Sequence, residues 1–84
     1  MFNAYLYTGS GQRLVLVRGV SYDRAEAACA TEAHCLPTTT RVGDCWLQDD
    51  LPRLVIYDEA WDPFARQPAP RVADLLLERL TYAR

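Results

Sequence analysis

The chain has 84 residues, of which 50% are apolar and 24% charged, the balance of a single small domain spanning residues 1–84. All nine basic residues are arginine and eleven residues are acidic, so the net charge of −2 speaks against a basic nucleic-acid-binding surface and against direct contact with nucleic acid. No apolar run reaches the length of a membrane-spanning helix, and no basic stretch followed by an apolar one marks a secretion signal; the expected setting is the cytoplasm, with no membrane partner.

In chain order, Phe2 to Thr8 reads as a strand, and Gly9-Ser10-Gly11 as the turn of a hairpin. The return strand, Arg13 to Arg18, carries the run Leu14-Val15-Leu16-Val17. Its continuous apolar character predicts a central strand covered on both faces, or one packed face with the other partly shielded. Ser21 is an N-cap for an alanine-rich helix over about Tyr22 to Ala33, with Asp23 and Glu26 near its positive end. Ala25, Ala28, Cys29 and Glu32 or Ala33 share one side, and small residues there let a helix lie close on a sheet. Leu36-Pro37 ends that helix.

The β-branched run Thr38 to Val42 predicts a strand, Gly43-Asp44 a two-residue turn, and Cys45 to Gln48 the returning strand. Asp49-Asp50-Leu51-Pro52 reads as a second turn before Arg53 to Tyr57, another central strand. Residues 58–70 read as an irregular crossing pinned by Trp61 and Phe64. Pro70 then opens a second helix with an apolar stripe of Val72, Leu75, Leu76 and Leu80. The expected fold is α+β in the order ββαβββα: an antiparallel sheet of about five strands with two helices on one face.

The three cysteines, Cys29, Cys35 and Cys45, are expected to be free thiols in a reducing compartment. With His34 they could form a four-ligand zinc site, but the spacing C-x4-H-C-x9-C lacks the paired knuckles of structural zinc sites. No cofactor is implied. Catalysis needs a constellation of residues. This chain offers one histidine, no G-x-S-x-G elbow, and no lysine for a phosphate loop at Gly9-Ser10-Gly11, so a non-enzymatic protein is expected, with no catalytic residues. Tyr5 and Tyr7 share a strand face, but are read as sheet cover rather than a base-stacking platform because no basic groove accompanies them.

Charge is unevenly distributed. Asp44, Asp49, Asp50, Asp58, Glu59 and Asp62 stand against Arg53 alone within residues 44–62, between flanks that are net positive. The acids sit in turns, where aspartate is common simply because it caps and solvates the chain. The functional reading is an acidic surface that docks on a basic partner, with Trp46 and Trp61 as aromatic anchors.

The stretch Val17-Arg18-Gly19-Val20-Ser21-Tyr22-Asp23-Arg24-Ala25-Glu26-Ala27-Ala28, followed by Thr38 to Gln48, resembles the strand, Val-Ser cap, alanine-rich helix and hairpin of several small phage-encoded proteins, type I anti-CRISPR proteins among them. The resemblance covers about half the chain and carries no functional residue over. It implies a single-domain inhibitor that blocks a nucleoprotein machine, such as a CRISPR effector complex, by binding it in the host cytoplasm. Two other readings fit the composition: an immunity protein or antitoxin that neutralises a basic toxin, and a small zinc-binding regulator built on Cys29, His34, Cys35 and Cys45. A structural subunit of a larger assembly would instead expose an apolar patch.

Overall fold

The computed structural model describes residues 1–36 and 38–73. It is α+β, with strands β1 (Phe2–Tyr7) and β2 (Arg13–Val20), helix α1 (Tyr22–His34), then β3 (Thr40–Val42), β4 (Cys45–Gln48) and β5 (Leu51–Asp58). The strands form one antiparallel sheet in the spatial order β2-β1-β5-β4-β3. An N-terminal hairpin and a three-strand meander therefore join through β1 and β5, and α1 carries the chain from one sheet edge to the other. The described residues hold one helix rather than the expected two. The stretch from Asp74 onward, which carries most of the expected second helix, lies outside them.

Helix α1 forms where the cap and the alanines placed it. Ser21 Oγ accepts the Arg24 amide at 3.3 Å, and the chain leaves the helix at Cys35, whose amide donates to the Glu32 carbonyl. Ala25 and Cys29, four residues apart, are fully buried against Ala4, Trp46, Leu54 and Ile56, with Phe2, Leu6, Leu16 and Val17 around them. Bulk comes from the sheet and closeness from the helix, which is why a helix of low apolarity can still cover this face. Arg41 closes the rim: it bonds Glu26 at 2.6 Å and lies 4.6 Å from the Trp46 ring.

β5 is central, as its apolar run predicts, but β2 is an edge strand. The run Leu14 to Val17 reports two covered faces, not a central position. The β1–β2 register shifts twice, between Phe2 and Ala4 and between Ala4 and Tyr5. These bulges let Leu16 and Val17 both pack on the helix side, with Val15 opposite Tyr5 on the other side. The free edge of β2 is shielded at Val15, whose amide donates to the Pro70 carbonyl at 2.8 Å beside a bridge to Arg71. β5 also begins two residues earlier than expected. Asp49 and Asp50 alone make the turn, with φ of 53° and 62°, the paired left-handed conformation of a tight hairpin. Aspartate tolerates that region, so the turn forms without glycine.

Candidate partner-binding site

The sheet face opposite α1 is aromatic and polar, and residues 58–71 form a strap across part of it. Tyr5, Tyr57 and Phe64 meet edge to face, with ring centroids 6.0–6.2 Å apart. Asn3, only 2% exposed, spends both ends of its amide. Its Oδ1 accepts the Gly19 amide at 2.9 Å, where a β2 bulge frees that N–H, and its Nδ2 donates to Asp62 Oδ2 at 2.8 Å. The Tyr5 hydroxyl donates to the same Asp62 oxygen at 2.5 Å. Asp62 Oδ1 accepts the Phe64 amide at 2.8 Å. Arg18 donates to the carbonyls of Phe64 and Gln67 at 3.3 and 3.0 Å, and Arg13 lies 3.7 Å over the Phe64 ring while bonding Gln67 Oε1.

This network sets the ionisation of its members. Burial alone would raise the Asp62 carboxyl. The hydrogen bonds from Tyr5, Asn3 and the Phe64 amide, with the charge of Arg18, outweigh it and hold Asp62 below the ordinary aspartate value. The Tyr5 hydroxyl moves the opposite way, raised first by burial and then by its bond to Asp62. The two shifts agree on one state, a charged Asp62 receiving a proton held by Tyr5.

Before the strap reaches that network it makes an exposed turn. The Glu59 amide donates to the Met1 carbonyl at 2.9 Å, and the Asp58 carboxylate and carbonyl accept the amides of Ala60 and Trp61, each at 2.9 Å. Trp61 stands at the crest, 83% exposed, with Asp58 and Glu59 before it. Among the described residues it is the most exposed of the large apolar side chains, and an aromatic ring left in water on a hydrogen-bonded turn has contact area to offer a partner.

The acids expected to share one surface separate into three kinds. Asp62 is half-buried, its carboxylate taken up by Asn3, Tyr5 and the Phe64 amide. Asp44 and Asp58 do local work, Asp44 accepting the Tyr22 hydroxyl at 2.6 Å and Asp58 the Ala60 amide. Asp49, Asp50 and Glu59 are exposed. Asp49-Asp50 and Asp58-Glu59 lie at opposite ends of β5, about 25–30 Å apart at ordinary strand rise. That is some three Debye lengths at physiological salt, so each pair acts on its own surroundings. The Asp44 turn lies at the Asp58 end, where its carbonyl accepts the Ile56 amide. Trp46 is not an exposed anchor: it is 5% exposed, in the core beneath Arg41, because a large ring on an inner strand faces the helix.

Nothing local marks Asn3, Arg13 or Arg18, whose partners lie far along the chain, and Tyr5 reads in the sequence only as sheet cover. It also took the tyrosine face to lack basic company. Arg13 and Arg18 both reach it, and Arg53 donates to the Tyr7 carbonyl at 2.7 Å and to Gln48. The register shift between Tyr5 and Ala4, where Leu16 is the extra residue of β2, breaks strict alternation and carries Arg18 to the side where Arg13 already lies; no glycine marks it, since Gly19 belongs to the other shift, beyond Arg18.

The zinc alternative loses its ligand set. Cys29 is fully buried, Cys35 exposed at the end of α1 and Cys45 half-buried on β4. Among the described residues no three His, Cys, Asp or Glu side chains come together to hold a metal. Burial pushes the Cys29 thiol up to about 12 and raises Cys45, so neither is an activated nucleophile. Among the described residues no helix is long and apolar enough to cross a membrane. No protein-family model matches the chain, and no curated protein or solved structure is significantly similar to it.

Proposed function

We propose that the protein is a non-enzymatic inhibitor of the anti-CRISPR kind, which docks the Trp61 end of its sheet on a basic site of a nucleoprotein complex in the host cytoplasm. The observation that carries this reading is Trp61, 83% exposed on a hydrogen-bonded turn with Asp58 and Glu59 beside it. An aromatic ring supplies contact area, and adjacent carboxylates favour a cationic partner and speed the encounter. A guanidinium or ammonium group from the partner could lie on the indole and reach a carboxylate at once. Asp44 adds charge at the same end, while Asp49 and Asp50 lie too far away to share the contact.

The test is DNA binding by a purified type I CRISPR surveillance complex, with and without the protein, at low and high salt. Inhibition should weaken with salt, drop about tenfold or more in Trp61→Ala, and be lost when Asp58 and Glu59 are both changed to Arg. No loss with Trp61→Ala, inhibition indifferent to reversal of Asp58 and Glu59, or no binding to the complex defeats the reading. Reversal of Asp49 and Asp50 serves as a control with the same change of net charge.

A further inference from the structure

The crossing that displays Trp61 is held down by bonds that begin at the very next residue. Asp62 closes onto Asn3 and Tyr5 of β1, strands away in sequence, while Phe64 enters between Tyr5 and Tyr57 and Arg18 reaches across to two strap carbonyls. On the other side of Trp61, the Asp58 turn and the bond from the Glu59 amide to Met1 fix the chain. Trp61 is 83% exposed, so its position is inherited from the residues fastened on either side of it.

We propose that Asp62 is a positioning residue, which clasps residues 58–67 to the sheet through Asn3 and Tyr5 and so keeps Trp61 turned outward on a fixed turn. Arg18 is the second fastening, on the carbonyls of Phe64 and Gln67. The inference rests on the reading of Trp61 as the partner's contact. It adds that affinity depends on a residue the partner never touches, because a preorganised anchor loses less freedom on binding. The clasp is directional: both carboxylate oxygens accept, Oδ2 from Asn3 and Tyr5 and Oδ1 from the Phe64 amide, so an amide in its place must turn a donor toward at least one of these donors.

The clasp can be read without any partner. Arg66 is exposed within the strap, and cleavage after it by trypsin requires the strap to lift. Asp62→Asn should raise that cleavage about tenfold, while cleavage after Arg24 and Arg41, in the rest of the fold, stays at the wild-type rate. Tyr5→Phe, which removes one of the two donors and keeps the ring, should give a smaller rise. Trp46 is buried, so external quenchers report Trp61. In the wild type, caesium should quench it better than iodide because of Asp58 and Glu59, and its anisotropy should decay with overall tumbling. In Asp62→Asn the decay should gain a fast component. Unchanged cleavage at Arg66, an equal rise at all three arginines, or an unchanged anisotropy decay overturns the proposal. In the inhibition assay, a loss with Trp61→Ala but none with Asp62→Asn also overturns it. No loss with Trp61→Ala defeats the docking reading instead, and leaves the clasp to be judged by the trypsin and anisotropy results alone.

Discussion

The two faces of the sheet are covered in opposite ways. α1 covers one with Ala25 and Cys29 against Trp46, Leu54 and Ile56, an apolar contact with no direction to it. The strap covers the other with a few directed bonds around Asp62 and Arg18 and one inserted ring, Phe64. The first kind of cover degrades gradually with lost volume. The second holds while every partner is present and leaves buried polar groups unsatisfied when one is removed. A small domain needs the first for stability, and the second leaves a loop that can be both exposed and fixed.

The largest expected effect tests the helix face. Trp46→Ala should cost about 3–5 kcal/mol, enough to threaten folding in a chain of this size, as measured by denaturant unfolding. Phe64→Ala, on the strap face, should cost about 2 kcal/mol, since its ring is only half-buried. An equal or larger loss for Phe64 would mean that the strap, and not the helix, is the principal cover.

The faces should also differ in pH response. Asp62 is held below its ordinary value, so its contribution is present above the unfolded aspartate pKa of about 3.9 and is lost as pH falls through the folded value. Tyr5 is raised, so its contribution is present below the unfolded tyrosine pKa of about 10 and is lost as pH rises through the folded value. The melting temperature should fall below about pH 4, and Asp62→Asn should flatten that acid limb. On the helix face the buried titratable group is Cys29, whose thiol is pushed up to about 12 by burial. It should resist Ellman's reagent at pH 8 until the protein unfolds, while exposed Cys35 reacts at once and Cys45 more slowly. Rapid reaction of Cys29 would show the helix lifting more readily than the strap.

The smallest expected effect is the sharpest. Trp61→Ala should leave stability within about 0.5 kcal/mol of wild type, because the ring is in water. A larger loss would place Trp61 among the groups that hold the strap down, rather than among those it displays.

Much of this was legible along the chain because it is local. Ser21 and the alanines after it define α1, Gly43 defines the hairpin turn, and Leu54-Val55-Ile56 marks an inner strand, since caps, turns and apolar runs depend on near neighbours. The Asp49-Asp50 turn was harder, because the backbone it adopts is one that glycine usually signals. For the candidate site, the sequence offered Trp61, Asp58 and Glu59 only as members of a larger set, with Asp44, Asp49, Asp50, Asp62 and Trp46 at equal weight. Nothing local distinguishes a tryptophan that faces the helix from one at the crest of a turn, or an aspartate in water from one that receives two hydrogen bonds from β1.

By itself, then, the sequence determined the α+β class, the N-terminal hairpin, the capped helix and the clustering of acids in turns, all consequences of short-range sterics and patterning. Only the tertiary structure decided that β2 lies at an edge, that the acids divide between two ends of β5, and that Asp62 is a clasp while Trp61 is displayed. Those outcomes depend on bulges that change which face a side chain takes, and on contacts between residues more than fifty positions apart, such as Asn3 and Tyr5 with Asp62.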